Sequence, residues 1–217
     1  KKPERRSSAP LKLSPMAALM DTFVEWLSKL RNNELEELCQ ATEEAIVDGN
    51  GFGWLRPPER SVLENYWRGV LLVPQRKLAV ARLDGVIVGS VQFVAPPANN
   101  EACAFAAQIT TFFVAPWARG HGLAQGLMTA IEERARDEGY AVLELDLRAT
   151  QSAAIQLFEQ GGFQRWATKK KYAYVDGDYV AGHYYVKELG KELGQKLGKK
   201  LGKKRGAAKA KSKAAAS

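Results

Sequence analysis

Alternating apolar and polar positions predict the strands of this chain. Such alternation is typical of a strand that buries one face, and it recurs in several segments. Asp84–Gly85 and Asp176–Gly177 each separate two of these segments, and Asp-Gly dipeptides favour the tight turns of β-hairpins. The predicted strands are 22–27, the two arms of a hairpin over 77–94, 107–116, 142–148 and the two arms of a second hairpin over 163–189.

Apolar residues three and four positions apart predict helices between those strands. The predicted helices cover 34–49, 58–72, 117–139 and 152–162. Asn32 or Asn33 is expected to cap the first helix, which Gly49 ends, and Pro58 is expected to open the second. The resulting order, β-α-α-β-β-β-α-β-α-β-β, predicts an α/β fold of the α+β type, in which a mixed sheet carries helices on both faces.

The net charge of +8 is distributed unevenly along the chain. Residues 190–217 have a net charge of +9 and residues 1–21 of +3, so the body at 22–189 has a net charge of −4. We therefore predict a disordered basic segment at 1–21, a folded domain at 22–189 and a low-complexity tail at 190–217. The tail is expected to contact a polyanion weakly or to act only as a solubilising extension, whereas the acidic domain does not favour nucleic acid.

Composition favours a cytoplasmic globular protein without a metal. No run approaches 18 apolar residues, so no membrane span is expected, and no apolar stretch typical of a signal peptide follows the basic first residues. Cys39 and Cys103 are the only cysteines, and both are expected to be reduced core residues. His121 and His183 are the only histidines and lie far from both cysteines in sequence, so no metal site is predicted.

The segment 114–124, with the sequence VAPWARGHGLA, contains the most informative candidate binding site. A strand ends there, Gly120 and Gly122 follow, and a helix begins at once. Unpaired N–H groups at a helix N-terminus bind anions, glycines let the backbone approach a diphosphate, and Arg119 adds a positive charge. The spacing matches neither GxGxxG nor GxxxxGK[ST], which excludes the Rossmann fingerprint and the P-loop. A glycine-rich turn without a ligand is the alternative.

Together with its neighbouring segments, this site resembles the GNAT superfamily of N-acetyltransferases. Its motif [QR]xxGx[GA] is filled by Arg119, Gly122 and Ala124, and a VxP pattern precedes it. The second family block, NxxAxxLYxxxGF, aligns with 151–163, and the resemblance covers about 22–189. DGNGFGWLRPPERSVLENYW, the LELDL strand and the closing YYVKEL are similar to the tabtoxin-resistance type, which acts on small amines.

The resemblance implies transfer of an acetyl group from acetyl-CoA to a primary amine, by direct attack in a ternary complex. A splay between the strand that ends at Val114 and the strand 142–147 would admit the pantetheine arm, and free backbone N–H groups there would bind the thioester and the arm. The glycine-rich loop would hold the pyrophosphate. The residues implied to bind the cofactor are Phe112, Val114, Arg119, Gly120, His121, Gly122, Leu123, Ala124 and Gln151.

The chain departs from the family at both of the usual acid–base positions. The tyrosine that often protonates the leaving thiolate falls on Phe158, and the glutamate that often serves as base falls on Gln108. Asp146 and Glu144 share one face of a strand and are the candidate bases, with a solvated or salt-bridged strand end as the alternative. Tyr172, in the final hairpin, is the candidate partner of the thiolate, with plain cross-strand packing as the alternative.

The acceptor is expected to be a small-molecule amine held among aromatic residues of the first two helices, unless those residues form ordinary core and lid packing. They are Phe52, Trp54, Tyr66 and Trp67. Two other functions stay open: a catalytically weak CoA-binding sensor, favoured by the two lost acid–base residues, and a protein-amine acetyltransferase with a polyanion-binding tail. The final hairpin offers a surface through which two chains could pair as a homodimer.

Overall fold

A computed structural model describes residues 20–49 and 52–190 of the chain. Its elements are β1 Thr22–Leu27, α1 Asn32–Val47, α2 Arg60–Leu72, β2 Arg76–Leu83, β3 Val86–Val94, β4 Ala106–Val114, α3 Leu123–Glu138, β5 Val142–Arg148, α4 Ser152–Gln160, β6 Gln164–Val175 and β7 Asp178–Glu188. This is the predicted order, with added 3-10 turns at Glu101–Cys103 and Pro116–Ala118. The expectations for residues 1–19 and 191–217 lie outside the described residues.

All seven strands belong to one sheet, in the order β1-β2-β3-β4-β5-β7-β6. β4 and β5 are parallel, and the other neighbouring pairs are antiparallel. Asp84 and Asp176 have φ angles of 49°, and the glycine after each also has a positive φ. Two positive φ angles in succession are typical of the tight turns expected at Asp-Gly, so both predicted hairpins are confirmed.

Helices cover both faces of the sheet, as the register of β5 with β7 demonstrates. The Arg148 side chain donates from Nη2 to the carbonyl of Gly49, just after α1, at 2.8 Å. The Lys187 side chain projects from the other face, because it lies opposite Leu143, an odd number of residues from Arg148, and it contacts Glu132 of α3. α1 and the α2 helix packed on it therefore lie on one face, which we call the α1 face, and α3 lies on the other.

Two helix starts differ from the prediction. Arg31, rather than an asparagine, occupies the N-cap of α1, and its backbone N–H donates to the Glu34 carboxylate at 2.7 Å. The Glu34 carboxylate, as part of a capping box, therefore satisfies the backbone at the start of the helix, where an asparagine side chain was expected to do so. α2 begins at Arg60, so Pro58 lies before the helix and does not open it.

The core lies between the sheet and its helices. Trp67 of α2 is fully buried and donates its indole N–H to the Thr42 hydroxyl at 3.1 Å. Cys39 is also buried, which raises the pKa of its thiol to about 11. Cys103 is exposed, so the expectation that both cysteines are core residues is wrong for this one. Within residues 20–49 and 52–190, no helix is long and apolar enough to cross a bilayer.

Arg82 of β2 ties α1 to the sheet. Its side chain is 9% exposed and contacts three carboxylates, those of Glu25, Glu34 at 2.8 Å and Glu37 at 3.7 Å. Burial by itself raises the pKa of Glu34, but hydrogen bonds from the Arg31 N–H and from Arg82 outweigh burial, and the pKa is lowered. Glu34 is therefore charged in the folded protein, and that charge depends on Arg82.

We expect Arg82→Met to destabilise the protein by about 3 kcal/mol at pH 7, because it leaves the buried Glu34 carboxylate without its cation. The lowered pKa of Glu34 means that its ionised form contributes stability above its unfolded pKa and loses it as the pH falls. The effect of the substitution should therefore shrink below pH of about 4, where Glu34 is protonated in the unfolded chain. Urea denaturation at several pH values measures both effects. Arg68→Met, which removes an exposed pair with Glu64, is the control and should cost less than about 0.5 kcal/mol.

Candidate active site

The chain turns from β4 into α3 through a corner loop, residues 115–124. Gly120 and Gly122 have φ angles of 84° and 76°, and Gly122 is the N-cap of α3. A β-carbon at either position would meet nothing within 4 Å, so the backbone conformation rather than crowding favours glycine there. The Gly126 N–H donates to the Gly122 carbonyl at 2.9 Å, so the N–H groups of residues 123–125 precede the helical ladder and are available to an anion.

Three side chains of the corner loop have partners within the protein, and the first is Trp117, whose indole N–H donates to the Glu44 carboxylate at 2.6 Å. Arg119 is about 45% exposed and pairs through Nη2 with Oδ2 of Asp48, at the end of α1, at 2.5 Å. The Nδ1 of His121 lies 3.2 Å from the Ala118 carbonyl, and since a carbonyl only accepts, Nδ1 carries the proton. The loop therefore has one fixed cation, and the His121 ring closes onto its own loop.

β4 and β5 diverge after a short ladder. Their register contains three pairs, and the last is Gln108↔Glu144. Both strands continue, β4 as far as Val114, so the predicted splay is present in the described chain. Glu144 lies at the last pair of the ladder, and Asp146, two residues further on the same face, lies inside the splay.

The backbone of β4 directs N–H groups into that splay. The Ala115 N–H donates to the Val88 carbonyl of β3 at 2.7 Å. Because successive N–H groups alternate sides along a strand, those of Val114 and Phe112 point away from β3 and toward β5. Phe112 and Val114 thus have the N–H orientation that the predicted thioester and pantetheine contacts require.

A cavity of about 850 Å³ opens at the splay. All three predicted catalytic residues, Glu144, Asp146 and Tyr172, line it, together with Phe112 and Gln151 from the predicted cofactor set. The Gln151 side-chain oxygen accepts a hydrogen bond from the Arg148 backbone N–H at 3.0 Å, which shapes the turn between β5 and α4. The other predicted cofactor residues belong to β4 or the corner loop beside this cavity.

Tyr172 reaches Asp146 across an intervening strand. Tyr172 is on β6 and Asp146 on β5, with β7 between them, yet the tyrosine hydroxyl donates to Oδ2 of Asp146. The register jumps from Lys169↔Gly182 to Ala173↔Val180, so β6 bulges over the residues that include Tyr172. A β-carbon on Gly182 would overlap the Tyr172 ring, and glycine at this position therefore allows the ring to lie across β7.

The pairing affects how both groups can act. Burial raises the pKa of Tyr172, and the hydrogen bond and charge of Asp146 raise it further. The phenol therefore stays protonated through the neutral range and acts as a hydrogen-bond donor. Asp146 makes no ion pair with a described residue. The structure therefore does not support the alternative that Asp146 belongs to a salt-bridged strand end.

The structure also shows where Phe158 and Gln108 lie, the two positions at which the usual acid and base of the family are absent. Phe158 of α4 is 1% exposed and packs its ring against Phe112 and Phe163. Gln108 lines the cavity at the end of the β4–β5 ladder. Neither side chain can exchange a proton at neutral pH, so neither can serve as the general acid or base.

The aromatic cluster predicted to wall the acceptor pocket is divided. Phe52 lines the cavity, whereas Trp67 is core and Tyr66 packs on it with ring centroids 5.0 Å apart. The aromatic wall comes instead largely from the final hairpin, where Trp166 and Tyr184 line the cavity beside Tyr172. Sequence alone missed Trp166, because an exposed tryptophan in an edge strand carries no periodic signal.

The chain is similar to known acetyltransferases. The acetyltransferase (GNAT) family model matches residues 33–163. The chain is 55% identical, over 61% of its length and 79% of the relative, to an uncharacterized N-acetyltransferase of Azospirillum brasilense from the hisH-hisA intergenic region.

Two solved structures have the same fold. One is an N-acetyltransferase from Staphylococcus aureus, with a TM-score of 0.67 at 18% identity, covering 78% of this chain and 99% of that one. The other is a phosphinothricin acetyltransferase from Sinorhizobium meliloti in complex with acetyl-CoA, with a TM-score of 0.65 at 17% identity, covering 78% and 89%. From the family match and the Azospirillum relative together, the chain belongs to the acetyltransferase (GNAT) family.

Proposed function

We propose that this acetyltransferase moves an acetyl group from acetyl-CoA to the primary amine of a small molecule, by direct attack in a ternary complex. One observation carries the proposal: the glycine corner loop and the Asp146–Tyr172 pair lie beside the same divergence of β4 and β5. The cofactor and the proton-handling groups would therefore meet in one cavity. The similarity of the segment 48–67 to the tabtoxin-resistance type supports a small amine as acceptor.

The corner loop would hold the pyrophosphate. The N–H groups of residues 123–125 and the positive end of the α3 dipole favour a phosphate there, and Gly120 and Gly122 leave the approach open. Arg119 would add a cation that Asp48 keeps in place. In the splay, the N–H groups of Phe112 and Val114 would bind the thioester carbonyl and the pantetheine arm. No group of three or more metal-ligating side chains occurs in the described residues, and the proposal uses no metal.

Asp146 and Tyr172 would move the proton that the reaction releases. Bound acetyl-CoA supplies an activated carbonyl, at which the amine forms a C–N bond while the C–S bond breaks. Asp146 takes the amine proton on the oxygen that Tyr172 leaves free. Tyr172 passes its own proton to the sulfur and receives the proton from Asp146, so neither residue is left changed. Glu144, one step along the same face, would accept a hydrogen bond from the incoming neutral amino group near Asp146.

A CoA-binding sensor is the second candidate. The features that favour it are Phe158 and Gln108, which remove the usual acid and base of the family. The tyrosine–carboxylate pair across the splay offers a replacement for both, which is why we prefer an enzyme. The two functions share the corner loop, so they differ in turnover and not in cofactor affinity.

We expect Gly122→Asp to abolish the binding of acetyl-CoA, for which wild type should have a dissociation constant on the order of micromolar. The substitution places a carboxylate where the pyrophosphate would lie. Gly122→Asn is the matched control, because asparagine tolerates the left-handed conformation and has no charge; its affinity should stay within about threefold of wild type. Isothermal calorimetry on both folded variants measures this. If wild type gives no heat with acetyl-CoA or CoA, the cofactor assignment is wrong.

We expect Asp146→Asn to lower kcat by about 100-fold or more while acetyl-CoA affinity is unchanged, because the amide cannot accept the amine proton. Thiol release over a panel of small amines, measured from pH 6 to 9, gives the rate. Glu144→Gln should instead raise KM for the amine with a smaller change in kcat. Equal rates for wild type and Asp146→Asn at every pH would remove the base role, and a folded wild type that binds acetyl-CoA without turnover would favour the sensor.

We expect Gly182→Ala to lower kcat although the residue carries no functional group, because its methyl group forces the Tyr172 ring away from Asp146. The loss should be nearly absent in a Tyr172→Ala background, where no ring remains to be displaced. Gly69→Ala, at a position where a β-carbon meets nothing within 4 Å, is the control and should leave kcat unchanged. Additive losses in the double variant would show that Gly182 acts independently of Tyr172.

A further inference from the structure

Thr111 is held in an unusual backbone conformation at the edge of the cavity. Its φ is 53°, a left-handed value that is strained for a β-branched residue, and its side chain is almost buried, at 8% exposed. It lies in a bulge of β4, where Val91 of β3 faces both Thr111 and Phe112. Such strain persists only where the surroundings hold it, so the contacts of Thr111 are informative.

A chain of three hydrogen bonds runs along the α1 face of the sheet from Arg76 of β2 to Thr111 of β4. Nη1 of Arg76 lies 2.6 Å from Oε1 of Gln92, and Nε2 of Gln92 lies 2.9 Å from the Tyr66 hydroxyl. The Tyr66 hydroxyl lies 3.1 Å from Oγ1 of Thr111. Gln92 is fully buried, so its amide depends on these partners.

Arg76, at the start of this series of hydrogen bonds, determines the direction of the bonds that follow. A guanidinium only donates, so the Gln92 oxygen faces Arg76 and the Gln92 NH₂ group donates to Tyr66. The Tyr66 oxygen accepts from Gln92, and among the described contacts Oγ1 of Thr111 is the acceptor left for the Tyr66 hydrogen, so Tyr66 donates to Thr111. Oγ1 accepts that hydrogen, so the Thr111 hydroxyl hydrogen cannot point to Tyr66 and is available to the cavity that Thr111 lines.

Thr111 and the acceptor side of the cavity lie on the same face of the sheet. Thr111 contacts Tyr66 of α2, so its side chain is on the α1 face, to which Arg148 also projects. Asp146 is on that face, two residues from Arg148 along β5. On this face, the carboxylates of Asp146 and Glu144 could bind the amino group of an acceptor. The Thr111 hydroxyl on β4 and the Arg148 guanidinium on β5 could donate to an oxygen atom of the same molecule.

We infer that Thr111 is a substrate-binding residue whose hydroxyl donates to an oxygen of the acceptor, so the enzyme prefers amines that carry a hydroxyl, carbonyl or carboxylate oxygen a few bonds from the amino nitrogen. This inference rests on the proposed function. Alkyl diamines gain nothing from this contact, because their second amino group is protonated at neutral pH and can only donate. Tyr66 and Gln92 are positioning residues, because they act through Thr111.

The test uses isosteric amine pairs in which a hydroxyl replaces a methyl group: 1-amino-2-propanol against isobutylamine, and phenylalaninol against 1-phenylbutan-2-amine. Wild type should favour the hydroxyl member of a pair in kcat/KM by about three- to tenfold, the usual effect of one neutral hydrogen bond. Thr111→Val should remove that preference, because it should raise KM of the hydroxyl member more than KM of the methyl member. Thr111→Ser should restore the preference.

Gln92→Glu tests the direction of these hydrogen bonds while Thr111 itself is unchanged. A carboxylate accepts from both Arg76 and Tyr66, so the Tyr66 oxygen must accept from Thr111, whose hydrogen then turns away from the cavity. The hydroxyl preference should be lost here too, without a change in kcat for the methyl member. Thermal denaturation of each variant establishes that it is folded.

Calorimetry separates this inference from the proposed function. If wild type turns over no amine, the same pairs are titrated into the CoA-bound protein, and tighter binding of the hydroxyl member that Thr111→Val abolishes still supports the contact. A wild type that does not discriminate within the pairs in either assay overturns the inference. Discrimination that persists in Thr111→Val overturns it as well.

Discussion

The early end of the ladder between β4 and β5 is the constraint on which the rest of the site depends. Two parallel strands that stayed paired would use the N–H groups of β4 within the sheet and leave no room for a ligand. The bulge at Thr111 turns β4 aside after Gln108, so the backbone beyond it faces an open cavity. Strain at one residue thus converts the middle of a continuous seven-stranded sheet into a binding site.

The remaining elements act around that divergence. α3 begins where β4 ends and brings its free N–H groups to one end of the opening. α1 ends at the same place, where Asp48 pairs with Arg119 and the Gly49 carbonyl accepts from Arg148. The buried Arg82 cluster fixes α1 to β2 at its other end. These contacts hold one helix across both sides of the cavity, so its stability and the geometry of the site are linked.

In the mechanism that we propose, Asp146 and Tyr172 take the place of the base and acid that the family usually has. Phe158 fills a place in the core, and its ring supports Phe112 next to the splay. The proposed proton transfer uses β5 and β6, where the bulge of β6 and the absence of a side chain at Gly182 let Tyr172 reach Asp146. In that mechanism the acid moves from α4 to the final hairpin, and a glycine without any functional group becomes a determinant of activity.

The sequence by itself determined the order of the elements, both hairpin turns and the corner loop, because these depend on local periodicity and on glycine or Asp-Gly pairs at fixed spacing. It also located Asp146, Glu144 and Tyr172 as candidates, through alternation along a strand and through the family resemblance. The cap at Arg31, the exposure of Cys103 and the burial of Trp67 were not determined, since each depends on neighbours that packing supplies. Only the tertiary structure joined Tyr172 to Asp146 and ordered the hydrogen bonds from Arg76 to Thr111. Those contacts cross strands far apart in sequence, and bulges, which leave no periodic signal, decide which side chains meet.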